Sequence, residues 1–167
     1  AGIDFLKSRG CKKIILQGHS SGCQKITYYA SKTNDKSVCG LILLSQADDM
    51  NLIRKMLGKD FNKTMKLARE MVKSGKAEEF MPKWTVTLPV ISAGRLYSLI
   101  NPSNTEAKLF DYTGEMKELG SITLPMLNVL GEKDVYLTMP TEKTLRIVKS
   151  KATKSKMFDG IIIKNAP

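Results

Sequence analysis

The residues of this chain that are best suited to chemistry are a serine and the glycines around it. Gly18-His19-Ser20-Ser21-Gly22 fits the pattern G-x-S-x-G, in which a serine occupies a tight turn between a strand and a helix. The turn exposes the serine hydroxyl, and it is so tight that side chains at the two glycine positions are expected to collide. The pattern therefore predicts Ser20 as a nucleophile for carbonyl carbon. The alternative is an ordinary glycine-rich turn.

The elements on either side of Ser20 are those that such a turn requires. A helical stretch ends at Gly10, and the apolar run at residues 11–17 predicts a strand. After Gly22, small and apolar side chains recur at helical spacing. A second strand is predicted at residues 38–45. Because neither run alternates between apolar and polar residues, we expect parallel strands that are covered on both faces.

The middle of the chain predicts helices that form a cap. Residues 50–81 carry apolar side chains three and four positions apart among lysines and glutamates, which indicates two amphipathic helices parted near residues 58–60. A turn is expected at Pro89, followed by a short helix from Ser92 to Ile100. These helices interrupt the series of strands and therefore form an insertion.

The last part of the chain returns to strands alternating with helices. The run ITLPMLNVLGEKD predicts a strand and an acidic turn, PTEKTLRIVKSKA a helix with a proline inside its first turn, and KMFDGIIIKNAP a final strand. This order predicts an α/β fold with an open, mostly parallel sheet, whose right-handed connections place helices on both faces. Residues 1–49 and 121–167 are expected to form this core, and residues 50–120 the helical cap insertion.

With these elements assigned, the chain resembles the α/β-hydrolase superfamily over nearly its whole length. The stretches GHSSGCQ, ISAGRLYSLINP and GEKD look like a subgroup of hydrolases related to fungal siderophore esterases. The resemblance implies a partial α/β-hydrolase fold and a triad of serine, acid and histidine in that chain order. It makes Ser20 the nucleophile and the Ser21 backbone N–H one donor of the oxyanion hole. It implies no cofactor and no metal.

The acid of such a triad is expected in the turn after a late strand. Asp134 lies there, with Glu132 close by, and we assign the role to Asp134. Asp48 and Asp49 follow the preceding strand, where some members of the superfamily carry the acid instead, and they remain the alternative. The alternative interpretation of Asp48 and Asp49 is structural, because carboxylates at this point cap the first helix of the insertion.

His19 is the only histidine in the chain, but its position argues against a role as the base. A residue directly before the serine on a tight turn points its side chain away from the serine hydroxyl, so we expect His19 to be a packing residue. The resemblance places the triad histidine in a loop after the last strand, and the chain stops at Pro167. We therefore expect this chain to be about the C-terminal two-thirds of a hydrolase that lacks the catalytic base and the first strands. Such a chain should have little activity by itself.

The composition is typical of one globular domain. The 167 residues are 42% apolar and 26% charged. No apolar run approaches the roughly 18 residues of a membrane span, and the first residues lack the apolar core of a signal peptide. Cys11, Cys23 and Cys39 form no C-x-x-C pair, so we expect reduced thiols in a cytoplasmic protein.

The formal charge of +11 leaves two interpretations open, a solvated lysine-rich surface and a face that binds anionic partners. No aromatic residues interleave the lysines, so no nucleic acid is expected as a partner. We expect a carboxylic ester of small size as the substrate, and the charge is compatible with an anionic one. The alternatives are acyl transfer or thioester cleavage on the same fold, and a non-catalytic protein of this fold that binds anionic partners.

Overall fold

The core of the fold is a sheet of four parallel strands in the order β1-β2-β3-β4. It is seen in a computed structural model that describes residues 2–85 and 90–167, so the turn predicted at Pro89 lies outside the described residues. The predicted parallel α/β sheet is confirmed, and each strand overlaps one of the predicted apolar runs, although β1 begins three residues later than predicted and extends two residues beyond the run. The strands are β1 Ile14–His19, β2 Val38–Leu44, β3 Met126–Gly131 and β4 Phe158–Ile163.

Eight α-helices accompany the sheet in the described ranges. They are α1 Gly2–Ser8, α2 Ser21–Lys32, α3 Asp49–Leu57, α4 Phe61–Lys73, α5 Ala93–Ile100, α6 Thr105–Lys108, α7 Lys117–Ser121 and α8 Thr141–Lys151. A short 3-10 segment at Gly58–Asp60 separates α3 from α4, as predicted, and another lies at Lys83–Thr85. Within residues 2–85 and 90–167, no helix combines the length and the apolar character that crossing a membrane requires.

The start of α8 differs from the prediction by one position. Pro140 is the N-cap residue in front of the helix, with φ −53° and ψ 140°, rather than a member of its first turn. Its carbonyl accepts a hydrogen bond from the Thr144 N–H at 2.9 Å. An extended ψ keeps Pro140 outside the helix while its carbonyl still begins the helical hydrogen-bond series.

The helices that connect the strands lie on one face of the sheet, and the expectation of helices on both faces is wrong for the described ranges. The strands cross the sheet in chain order, so successive right-handed connections return on the same side. Accordingly α2 packs on β1 and β2, and α8 packs on β3 and β4. On the opposite face, Ile15, Ile161 and Ile163 are exposed.

In the part of the chain that the structure describes, buried apolar side chains form two separate clusters. One joins the sheet to α2, α7 and α8, and the other joins α3, α4 and α5. Leu109, Phe110 and Met116 belong to the sheet cluster, although they lie inside the range predicted for the cap. We therefore propose a cap of residues 50–108, shorter than the predicted 50–120, because a cap with its own core ends where packing against the sheet resumes.

Candidate functional site

Ser20 occupies a strained turn between β1 and α2. Its φ is 52° and its ψ −125°, a left-handed conformation that is unfavourable for a residue with a Cβ. Two hydrogen bonds hold the turn: the Ser20 N–H donates to the Leu44 carbonyl at 3.0 Å, and the Ser20 carbonyl accepts from the Cys23 N–H at 2.9 Å. The side chain is half-buried at the end of β1. This is the backbone that the G-x-S-x-G pattern predicts around a nucleophile.

The two glycines of the pattern have different steric roles. A Cβ on Gly18 would lie 2.5 Å from the carbonyl carbon and oxygen of Gly22, which no side chain tolerates. A Cβ on Gly22 would meet nothing within 4 Å. The predicted collision is therefore confirmed at Gly18 and wrong at Gly22, because the close approach is between the Gly18 α-carbon and the Gly22 main chain.

Cys23 stabilises this turn through its thiol. Its thiol is buried and donates to the carbonyls of Gly18 at 3.1 Å and Leu44 at 3.3 Å, so it joins α2 to β1 and β2. Burial raises the pKa of the Cys23 thiol to about 12. A thiol that stays protonated is a structural group rather than a nucleophile. This role was not predicted from the sequence, in which a cysteine three residues after the serine gives no signal for it.

Ser20 and Asp134 line the same cavity, which has a volume of about 250 Å³. Its wall consists of His19, Ser20, Ser45, Ala47, Asp134, Val135, Tyr136 and Pro167. Three adjacent strands end here, with Ser20 after β1, Ser45 after β2 and Asp134 beyond β3. Strands two places apart are separated by roughly 10 Å, so a third group is needed to connect the serine and the carboxylate by hydrogen bonds.

Asp134 is held in a compact turn. Its Oδ1 accepts a hydrogen bond from the Tyr136 N–H at 2.9 Å, and the side chain is half-buried. Glu132, the predicted near neighbour, is exposed and accepts from the Asn165 N–H at 2.8 Å through Oε2. Of these two carboxylates, Asp134 therefore lines the cavity with Ser20, whereas Glu132 bonds to the turn after β4.

Asp48 caps a helix, the structural role predicted as its alternative. It is the N-cap of α3 and is 1% exposed. Its carboxylate accepts from the Asn51 N–H at 3.1 Å, from Asn51 Nδ2 at 2.8 Å and from the Tyr112 N–H at 3.1 Å. Burial raises the pKa of Asp48 above its usual value. These partners occupy both carboxylate oxygens.

Asp49 faces α2 instead of the cavity that contains Ser20. Its Oδ2 accepts from Gln24 Nε2 at 2.6 Å, and burial raises the pKa of the Asp49 carboxyl. Neither Asp49 nor Asp48 lines that cavity. Within the described residues, no group of three or more His, Cys, Asp and Glu side chains is arranged to hold a metal ion.

His19 is exposed, so its predicted role as a packing residue is wrong in the described chain. It is the last residue of β1, an edge strand, and its side chain points to the sheet face that the connecting helices leave open. It lines the cavity, but among the described residues no hydrogen bond joins it to Ser20 or Asp134.

Ser45 also lines the cavity, a role not predicted from the sequence. It has a φ of 45°, and its N–H donates to the Val129 carbonyl at 2.9 Å, which fixes the end of β2 beside β3. Its place between Ser20 and Asp134 depends on the strand order. A polar residue that ends an apolar run, as in LILLS, was the available signal.

Solved structures with a similar fold were found for nearly the whole chain. A monoacylglycerol lipase from Paleococcus ferrophilus matches 98% of this chain at 20% identity and a TM-score of 0.57. A thermostable carboxyl esterase from Bacillus coagulans matches 98% at 12% identity and a TM-score of 0.66. An α/β-hydrolase fold protein of unknown function matches 96% at 19% identity and a TM-score of 0.60. At these identities the likeness shows the fold.

The chain spans about three fifths of the length of these structures, with 63%, 60% and 57% of them covered. No match was found among the curated proteins. A family model, by contrast, matches residues 1–166, almost the entire sequence. The chain therefore belongs to the family described as "Protein of unknown function (DUF1749)", and its fold is the α/β-hydrolase fold.

Proposed function

We propose that the protein is a serine hydrolase that cleaves carboxylic esters through an acyl-enzyme on Ser20. The observation that carries the proposal is the shared cavity of Asp134 and Ser20, with the serine held at φ 52° on the turn after β1. A protein without catalysis has no need to retain such a strained serine. The strained turn therefore favours a hydrolase over a non-catalytic binding protein of the same fold.

The reaction uses Ser20 and the start of α2. Ser20 Oγ attacks the ester carbonyl while a base takes its proton, and the protonated base returns that proton to the alkoxide, which leaves as the alcohol when the tetrahedral intermediate collapses. Water, whose proton the base takes, then attacks the acyl-enzyme, and the base returns the proton to Ser20 Oγ as the acid is released. Ser21 is the first residue of α2, so its N–H has no partner within the helix and is free to donate to the oxyanion. One such donor contributes on the order of 3 kcal/mol to transition-state stabilisation.

The base belongs between Ser20 and Asp134, above the end of β2. We assign it to a residue outside the 167 residues of this chain, since His19 is the only histidine and no hydrogen bond in the described ranges links it to either group. Asp134 orients the base and stabilises its protonated form. The chemistry described here applies equally to a thioester or an acyl transfer, which differ in the leaving group and the acceptor.

Covalent labelling of the natural protein, meaning the chain extended at both ends to its natural termini, tests the proposal. A fluorophosphonate is expected to modify Ser20, because it reacts only with a serine whose proton is taken by a base. Ser20→Ala is expected to abolish the labelling, whereas His19→Gln should change its rate by less than about threefold, since a group that is not the base contributes little. An unlabelled natural protein contradicts the hydrolase, and loss of labelling in His19→Gln contradicts the assignment of the base.

The lining of the cavity supports a neutral ester as the substrate. No lysine or arginine is among its described wall residues, and Asp134 places a carboxylate there. Val135 and Tyr136, at the rim, are 78% and 58% exposed, which offers apolar surface to a substrate. The lysines and arginines that give the net charge of +11 therefore lie elsewhere on the molecule.

Rates on a butyrate ester and on the matched hemisuccinate ester test this substrate class. We expect the natural protein to prefer the neutral ester by about tenfold or more in kcat/KM, because Asp134 repels a second carboxylate at short range. Val135→Lys places a cation at the rim and should shift the ratio about fivefold towards the anionic ester, whereas Val135→Gln should not. A preference of the natural protein for the hemisuccinate contradicts the neutral substrate.

Two finer assignments are part of the same proposal. We infer a relation to siderophore esterases from the stretches GHSSGCQ, ISAGRLYSLINP and GEKD. We also infer a cytoplasmic location, which the free thiols of Cys11, Cys23 and Cys39 support, since exported proteins pair most of their cysteines.

A further inference from the structure

Much of the excess positive charge lies at the edge of the sheet opposite the cavity. Ser20 and Asp134 follow the carboxyl ends of strands, whereas several basic residues precede the amino ends. We call this set the basic edge. It consists of Arg9, Lys12 and Lys13 before β1, Lys36 before β2, and Lys149, Lys151, Lys154 and Lys156 before β4.

The topology brings these residues together from three separate segments. The Ile14 N–H donates to the Ser37 carbonyl at 2.7 Å, which joins the segment before β1 to the segment before β2. The Lys156 N–H donates to the Thr123 carbonyl at 3.2 Å, which joins the segment before β4 to the segment before β3. All eight cations are exposed except Lys151, which is half-buried.

The cations of the basic edge lack acidic partners in the described ranges. Asp35, which lies before β2, already binds Lys7 at 2.8 Å, and Glu118 binds Lys32 at 3.5 Å. Among the described residues, no ion pair includes a member of the basic edge. The next acid along the chain, Asp159, lies one residue inside β4. The charge at this edge is therefore available to a partner.

The basic edge has two groups of four cations, one at β1 and β2 and one at β4. Three strand spacings, about 14 Å, separate the ends of the sheet, so the two groups reinforce each other only weakly through solvent at physiological salt. Seven of the eight cations are lysines, which act as solvated point charges rather than as the planar forks that grip a single phosphate. This arrangement suits an extended anionic surface better than one small anion.

We propose that the basic edge docks the protein on an anionic lipid surface. Met157 directly follows Lys156 and is 62% exposed, so an apolar side chain stands beside the cations. A bilayer offers charged headgroups to the lysines and an apolar layer to the methionine. A nucleic acid offers phosphates without that layer. In the docked orientation the cavity that contains Ser20 faces away from the lipid.

Binding of the natural protein to vesicles tests this proposal. The probe is phosphatidylcholine vesicles with about 30% phosphatidylserine, compared with pure phosphatidylcholine vesicles in co-sedimentation. We expect binding only to the anionic vesicles, and a decrease as salt is added. K149Q/K154Q/K156Q should weaken it about 100-fold, since each lysine near such a surface contributes about a fivefold factor. M157S should weaken it less, and without a change in the dependence on salt.

A matched control removes the same charge from the cap. K55Q/K59Q/K73Q changes three exposed lysines that no described ion pair includes, and it should alter binding by less than about threefold. Equal losses in the two triple variants overturn the basic edge as the docking surface. Failure to bind anionic vesicles, or tighter binding to duplex DNA or RNA at the same salt, overturns the lipid partner. None of these outcomes depends on the reaction at Ser20.

Discussion

Asp134→Asn is expected to lower kcat/KM of the natural protein by roughly 10³ to 10⁴-fold while leaving its stability nearly unchanged. Asparagine keeps the shape and can still accept the hydrogen bond that the Tyr136 N–H donates to Oδ1. It no longer supplies the negative charge that orients a base and stabilises it once protonated. The measurements are ester hydrolysis under first-order conditions and urea unfolding of the same preparation.

Asp49→Asn is the matched control for the choice of acid. Asp49 accepts a hydrogen bond from Gln24 Nε2, a contact that asparagine retains through its amide oxygen, and it lies outside the cavity that contains Ser20. The kcat/KM of Asp49→Asn should stay within about threefold of that of the natural protein, because Asp49 touches no reacting group. If Asp49→Asn loses activity and Asp134→Asn does not, the acid follows β2 and the proposed arrangement is wrong.

Gly18→Ala is expected to destabilise the fold by about 3 kcal/mol or more, enough to unfold a domain of ordinary stability. The added Cβ would lie 2.5 Å from the main-chain carbonyl of Gly22, and main-chain atoms cannot move aside as the end of a flexible side chain does. The clash would push α2 away from β1 and open the turn that holds Ser20. Urea unfolding followed by circular dichroism measures the effect.

Gly22→Ala provides the comparison within the same motif. Its Cβ would enter open space, and position 22 lies in the first turn of α2, where alanine is the better helix former. We expect a change between zero and about 1 kcal/mol in favour of the folded state. Similar losses in Gly18→Ala and Gly22→Ala would show that the spacing of the motif, rather than one close main-chain contact, accounts for its stability.

The local features of this protein could be predicted from the sequence. Gly18 and Ser20 define the turn through sterics that act over a few residues. The strands follow from continuous apolar runs, and the longer helices follow from the helical spacing of apolar residues. The break between α3 and α4 at Gly58–Asp60 was predicted for the same reason. Such features depend mainly on neighbours along the chain, so the sequence indicates them, although the open space at Gly22 and the start of α8 after Pro140 differed from the prediction.

The choice between the carboxylates depends on contacts between residues far apart along the chain. Asp48 and Asp134 each follow a strand, so both suit the acid in the sequence. In the structure, Asp48 is buried against Asn51 and the Tyr112 N–H, whereas Asp134 lines the cavity with Ser20. Tyr112 is 64 residues away from Asp48 along the chain. A contact over that distance leaves no trace in local spacing.

Strand order decided the remaining features. Because β1 to β4 cross the sheet in chain order, the connecting helices share one face, His19 is exposed on the other, and Ser45 lies between the serine and the carboxylate. The same order collects lysines from distant segments at the amino edge. The sequence by itself determined the motif, the strands, the longer helices and the total charge. Their placement depended on long-range packing of whole strands, since each feature involves atoms that meet only after the sheet has formed.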